Sequence, residues 1–155
     1  MIIDTQLLVT LSAQAKASPR LRQAYDLRNT SEDNSQRMLN ALEPGTVMPI
    51  HRHRKTSETI CMVRGKMVMR LYDDKGNIAD EFVMAPAGSV TELAEVPMIH
   101  VEAGQWHSLE VLEEGTVIFE AKDGAWEPLV DEDIMEVSDV IRQKKSKNPK
   151  YGKEI

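Results

Sequence analysis

His51 and His53 are separated by one residue, and Glu58 follows after a four-residue link. Side chains at i and i+2 of a strand point to the same face, so both imidazoles can converge on one point. Glu58 opens the next apolar run, where a neighbouring strand can reach that point. Two imidazoles and a carboxylate form a normal donor set for Zn, Mn, Fe or Ni. His107, directly after Gly104-Gln105-Trp106, offers a fourth ligand, with His100 as the alternative. The chain holds four histidines, so every imidazole ligand must come from these. Its one cysteine, Cys61, excludes an intramolecular disulfide framework and a four-cysteine zinc site.

Other residues have the chemistry to serve such a site. Arg64 shares parity with Glu58 in a regular strand and would then line the pocket and take an anionic substrate. Arg70 and Tyr72 share one face of the following strand, and Trp106 beside His107 could pack on a sugar ring. Glu120 follows Val117, Ile118 and Phe119, which places a carboxylate near the core as a candidate base. Arg52 alternates with the two histidines and should face away from them. Cys61 alternates away from Glu58 and reads as a small packing residue. Met62, Met67, Met69 and Met84 read as core filler. No nucleophile elbow, P-loop or dinucleotide fingerprint occurs, which argues against serine hydrolysis and nucleotide hydrolysis.

The elements that must position these residues fall into three zones. Residues 1–35 form an N-terminal segment in which Leu7, Leu8, Leu11 and Ala15, then Leu21, Ala24 and Tyr25, recur at helix spacing. Ser18-Pro19 divides it into two expected helices. Residues 36–130 read as seven or eight short strands, broken by Pro44-Gly45, Gly65, Asp73–Asn77, Pro86–Gly88 and Glu113–Gly115. That pattern predicts an all-β sandwich or barrel. Residues 131–155 begin with Asp131, Glu132 and Asp133 and predict a short C-terminal helix followed by a basic, disordered tail.

The chain has 155 residues, enough for one domain with a real core. Its net charge of −6 combines an acidic body with a tail, 142–155, that holds six basic side chains against Glu154. An acidic body disfavours general nucleic-acid binding. No apolar run approaches the roughly 20 residues of a spanning helix, and Asp4 stands where a signal peptide carries positive charge. The expectation is a cytoplasmic protein without membrane contact.

The segment from Gly45 to Gly65 resembles the first motif of the cupin superfamily, G-x5-H-x-H-x4-E-x6-G, at every fixed position: Gly45, His51, His53, Glu58 and Gly65. The second motif is matched by Gly104 and His107, while Val96, Glu102 and Val111 depart from it. A closer resemblance is to the small WbuC-type cupin-fold metalloproteins of surface-polysaccharide (O-antigen, lipopolysaccharide) gene clusters. It is carried by Ser18-Pro19-Arg20 with Arg22, Asn29, Gln36–Leu42, Asp73–Gly76, Gly104–His107 and Glu120–Gly124. Thr30–Glu32 stand where that group carries a histidine.

The resemblance implies a single cupin jelly-roll barrel with short terminal helices. It implies one divalent metal (Zn, Fe, Mn or Ni) held by His51, His53, Glu58 and His107. It also implies a carbohydrate or sugar-nucleotide ligand, and a homodimer. Lewis-acid isomerase or epimerase chemistry suits that site, with Glu120 moving the proton. An Fe(II) dioxygenase and a non-catalytic small-molecule-binding or regulatory cupin are the alternatives.

Overall fold

A computed structural model describes residues 1–88 and 96–135. The chain opens with α1, Thr5–Ala17, whose first turn is capped by the Asp4 carboxylate accepting from the Leu7 N–H at 2.9 Å. Ten strands follow: β1 Arg22–Asp26, β2 Ser35–Leu42, β3 Ile50–His51, β4 Glu58–Arg64, β5 Met67–Tyr72, β6 Ile78–Met84, β7 Met98–Val101, β8 Trp106–Val111, β9 Thr116–Asp123 and β10 Ile134–Met135. They form two five-stranded antiparallel sheets, ordered β1-β2-β9-β4-β7 and β10-β3-β8-β5-β6.

The main core lies between the sheets. Leu42, Ile60, Met62 and Ile118 from the first meet Met67, Met69, Met84, Leu109 and Val111 from the second. The four methionines expected as filler are all buried there. A second cluster seals the outer face of the first sheet, where Leu11 and Ala15 of α1 pack on Leu39, Ala41 and Val117. The β4–β5 turn depends on Gly65, at φ +79°; a Cβ there would sit 2.7 Å from the Thr116 Cα.

Three expectations change. The second N-terminal helix is strand β1: Leu21 takes a left-handed backbone, φ +54°, and Arg22–Asp26 then pair with Met38–Leu42. The spacing of Leu21, Ala24 and Tyr25 is compatible with a helix, but the free edge of β2 offers a full ladder of hydrogen bonds and wins. Within the zone expected to be short strands, Thr46–Arg52 after the Pro44-Gly45 turn is strand only at Ile50–His51. The expected C-terminal helix begins instead as a single 3-10 turn, Asp131–Asp133, without a side-chain cap, and then runs into β10 along the edge of β3. Residues 90–93, read as one of the short strands of the 36–130 zone, and the rest of the expected C-terminal helix and tail lie outside the described residues. Among the described residues, no helix is long and apolar enough to cross a membrane.

Candidate metal centre

β3 and β8 are antiparallel neighbours, and His51 sits directly opposite His107. Their ring centroids are 4.3 Å apart. His53 lies two residues on, where its carbonyl accepts from the Gly104 N–H at 2.8 Å and so ties the two histidine segments together. Glu58 arrives from the opposite sheet as the first residue of β4. Ligating atoms of His51, His53, Glu58 and His107 all lie within 4.8 Å of one another. His100, the alternative, faces outward on β7, with its Nδ1 at 3.0 Å from the Thr59 hydroxyl.

The donor set fits a divalent transition metal. The Nδ1 atoms of His51 and His107 each lie 3.0 Å from a backbone carbonyl, those of Pro49 and Gln105. Carbonyls only accept, so each Nδ1 carries the proton and Nε2 is the atom presented to the cluster. Burial, with His107 nearby, holds the His51 imidazole down at about 4, so it is neutral and ready to ligate. Burial and then Lys122 lower His53 as well. Burial alone would raise Glu58, yet the His107 hydrogen bond and the surrounding positive charge bring it down to about 2. His107 shows the reverse balance: burial lowers it, and the Glu58 carboxylate, 2.6 Å from its Nε2, raises it overall. A proton between His107 and Glu58 thus supplies positive charge at the centre of the cluster.

A cavity of about 590 Å³ opens over the cluster. Cross-strand register explains its inner wall. Lys122 of β9 pairs with Glu58, and Glu120 pairs with Ile60 on one side and Met38 on the other. Lys122 Nζ lies 3.1 Å from His53 Nε2. Asn40 of β2 donates to Glu120 Oε2 at 2.6 Å. Burial, and then the negative charge of Glu58, push the Glu120 carboxyl up to about 7. Met48, Met69 and Trp126 add apolar surface to the same cavity.

The four residues expected to bind substrate lie elsewhere. A bulge between Met62 and Arg64 shifts the register, so Arg64 turns outward. It donates to the Gly115 carbonyl at 2.8 Å, the Ser12 hydroxyl at 2.5 Å and the Leu8 carbonyl at 3.3 Å, which fastens α1 to the sheet. Arg70 pairs with Glu81, and with Glu110 at 2.7 Å. Tyr72 is buried with Ile50 and Trp106 and shares a hydrogen bond with Ser108 at 2.9 Å. Trp106 donates to Asp74 at 3.2 Å, and the Arg52 guanidinium stacks 4.2 Å above its ring. None of these four lines the cavity. Arg52 does face away from its flanking histidines, and with Arg54 it grips Asp133, which steadies the turn from outside. Lys122, Asn40 and Trp126 were not evident from sequence. Their signal is sheet register and chain crossing, which local spacing does not carry.

A family model described as a domain of unknown function, DUF6016, matches residues 3–84. The chain belongs to the DUF6016 family. Among curated proteins none matches it. Solved structures place this DUF6016 member in the cupin fold. KdgF from Halomonas sp. is 13% identical, with a TM-score of 0.51 over 69% of this chain and 82% of that one. The cupin domain of Cnp3 from Schizosaccharomyces pombe is 12% identical, with a TM-score of 0.50 over 66% and 64%. The capsular polysaccharide assembling protein CapF from Staphylococcus aureus is 20% identical, with a TM-score of 0.55 over 72% of this chain and 30% of CapF. These likenesses establish a cupin fold, and its three-histidine, one-glutamate cluster has the donor set to hold a metal ion.

Proposed function

We propose that this protein is a metal-dependent isomerase or epimerase acting on a small carbohydrate or sugar nucleotide in surface-polysaccharide assembly. The observation that carries the reading is the Glu120 carboxyl, raised to about 7, in the same cavity as the His51, His53, Glu58 and His107 cluster. The fold likeness to CapF, a capsular polysaccharide assembling protein, and the resemblance to WbuC-type cupins support the carbohydrate assignment.

His51, His53, Glu58 and His107 would hold the ion. A divalent metal supplies Lewis acidity toward a neighbouring hydroxyl and carbonyl, which acidifies the adjoining C–H. Glu120 does the proton transfer. Near neutral pH it is divided between carboxylate and acid, so it can accept a proton from carbon and return it to the same or the adjacent carbon. Asn40 holds Oε2 and leaves Oε1 for the substrate. Lys122 donates to a substrate oxygen from the cluster side, and Trp126 covers a ring face.

Incubation of metal-loaded protein with a panel of sugar nucleotides in deuterated water tests this. Expected is deuterium incorporation at one carbon, lost in Glu120→Gln while metal content stays unchanged. Absence of exchange with every member of the panel would overturn the reading.

A further inference from the structure

Arg20 and Arg22 stand on either side of Leu21, whose left-handed backbone is the sole non-glycine positive φ among the described residues. Such a backbone costs a bulky residue energy and persists only when its surroundings fix it. Here they do. The Leu21 N–H donates to the Ser18 carbonyl at 2.9 Å; its own carbonyl accepts from the Glu43 N–H at 2.9 Å and the Thr46 hydroxyl at 2.5 Å. Both flanking arginines line the cavity, Arg20 exposed and Arg22 half-buried.

Of the other described arginines, Arg64 is taken up by the Gly115 and Leu8 carbonyls and the Ser12 hydroxyl, and the rest are ion-paired. Arg28 pairs with Asp26, Arg37 with Asp33, Arg52 and Arg54 with Asp133, and Arg70 with Glu81 and Glu110. Arg20 and Arg22 have no carboxylate partner. Arg22 Nη1 donates to the Val47 carbonyl at 3.1 Å, which anchors one edge of the guanidinium and leaves the rest of the fork open. Arg20 stands close enough to repel it, and Arg22 is half-buried. The cavity's acids do not relieve this: Glu58 is bound to His107, Glu120 to Asn40, and Glu127 forms no hydrogen bond or ion pair with either arginine. Two neighbouring guanidinium groups without carboxylate partners, lining a cavity that also contains Lys122, form a site for an anion, which a planar fork binds bidentately.

We infer that Arg20 and Arg22 form an anion subsite in the lining of the cavity, and that the ligand is an acidic sugar whose carboxylate or phosphate docks there. This rests on the carbohydrate reading above and names the substrate class. Neutral sugars lack the group that offsets the arginine pair, so they bind weakly.

Isothermal titration calorimetry of the metal-loaded full chain with glucose, glucuronate, glucose 1-phosphate and inorganic phosphate tests it, with metal content measured in parallel. Expected is binding of glucuronate or glucose 1-phosphate at least about tenfold tighter than glucose, with the better acid identifying the source of the charge. Arg22→Gln and Arg20→Gln each weaken that binding about tenfold with metal content unchanged, whereas Arg28→Gln does not. Arg20 is exposed, so its variant keeps the test independent of folding. Glucose binding as tightly as the acids, or full affinity in both variants, overturns the inference and leaves the carbohydrate reading standing. Phosphate binding as tightly as glucose 1-phosphate, with the same arginine dependence, keeps the anion subsite but overturns its assignment to an acidic sugar, and with it the carbohydrate reading. Binding of none of the four overturns both.

Discussion

Metal uptake should displace close to one proton at pH 6, and the count follows from the donor set. His51, at about 4, is almost entirely neutral there. Glu58, at about 2, is ionised. His53 lies below its ordinary value. His107 lies above its ordinary value and retains its proton against Glu58. Ligation needs the His107 Nε2 lone pair, so that proton must leave. Apparent affinity should therefore climb about tenfold per pH unit on the acid side of the His107 titration, flatten above it, and fall more steeply below about pH 4, where His51 also charges. The same balance sets the stability of metal-free protein. The raised His107 stabilises the fold fully below its unfolded value and loses that contribution as pH rises through the folded one. The lowered Glu58 contributes above its unfolded value and loses it as pH falls toward about 2. Calorimetric titration of Zn²⁺ in two buffers of different ionisation enthalpy counts the released protons. Zero protons at pH 6, or two or more, would refute the assignment of the His107–Glu58 proton.

Three further outcomes follow from named contacts. The Glu120 carboxyl should titrate near 7 by infrared or carbon NMR, and Asn40→Ala should raise its midpoint by removing the hydrogen bond that favours the charged form. Arg64→Ala should cost about 2–4 kcal/mol in urea unfolding, because charged donors to the Gly115 and Leu8 carbonyls and to Ser12 are lost, while metal content is unaffected. Gly65→Ala should cost roughly 3 kcal/mol or more by the same assay, since it combines a positive φ with a methyl driven against Thr116.

The parts of the site legible in sequence were those written within one turn-bounded segment. His51, His53 and Glu58 follow from their close spacing within a short segment between Gly45 and Gly65, both of which take positive φ, although β3 ends at His51 and strand parity does not itself place His53. His107 needed only a second glycine turn ahead of a strand. Arg64 failed because parity is lost at a bulge, and nothing in Glu58–Arg64 announces one. Leu21–Tyr25 failed because a five-residue apolar rhythm fits helix and strand alike, and the pairing that decides it involves residues about 16 positions away. Lys122 and Asn40 were hidden for a related reason. Each enters the cavity through register with a distant strand, so their side chains acquire meaning only after β2, β9 and β4 are aligned.

The placement of the cluster gives it a role beyond chemistry. His51 and His107 belong to one sheet and Glu58 to the other, so the His107–Glu58 contact of 2.6 Å crosses the gap between them. Elsewhere that gap is filled by side chains such as Met62, Met69 and Leu109. At the cluster end, polar groups hold the sheets at their spacing. An ion bound by all four residues would fasten the two sheets directly, and its binding energy would add to folding stability by mass action. The same sheet that contributes Glu58 presents Glu120 and Lys122 on adjoining rows of one face. Any change in sheet spacing therefore moves Glu120 and Glu58 together, which keeps their mutual geometry fixed while altering their distance from His51 and His107.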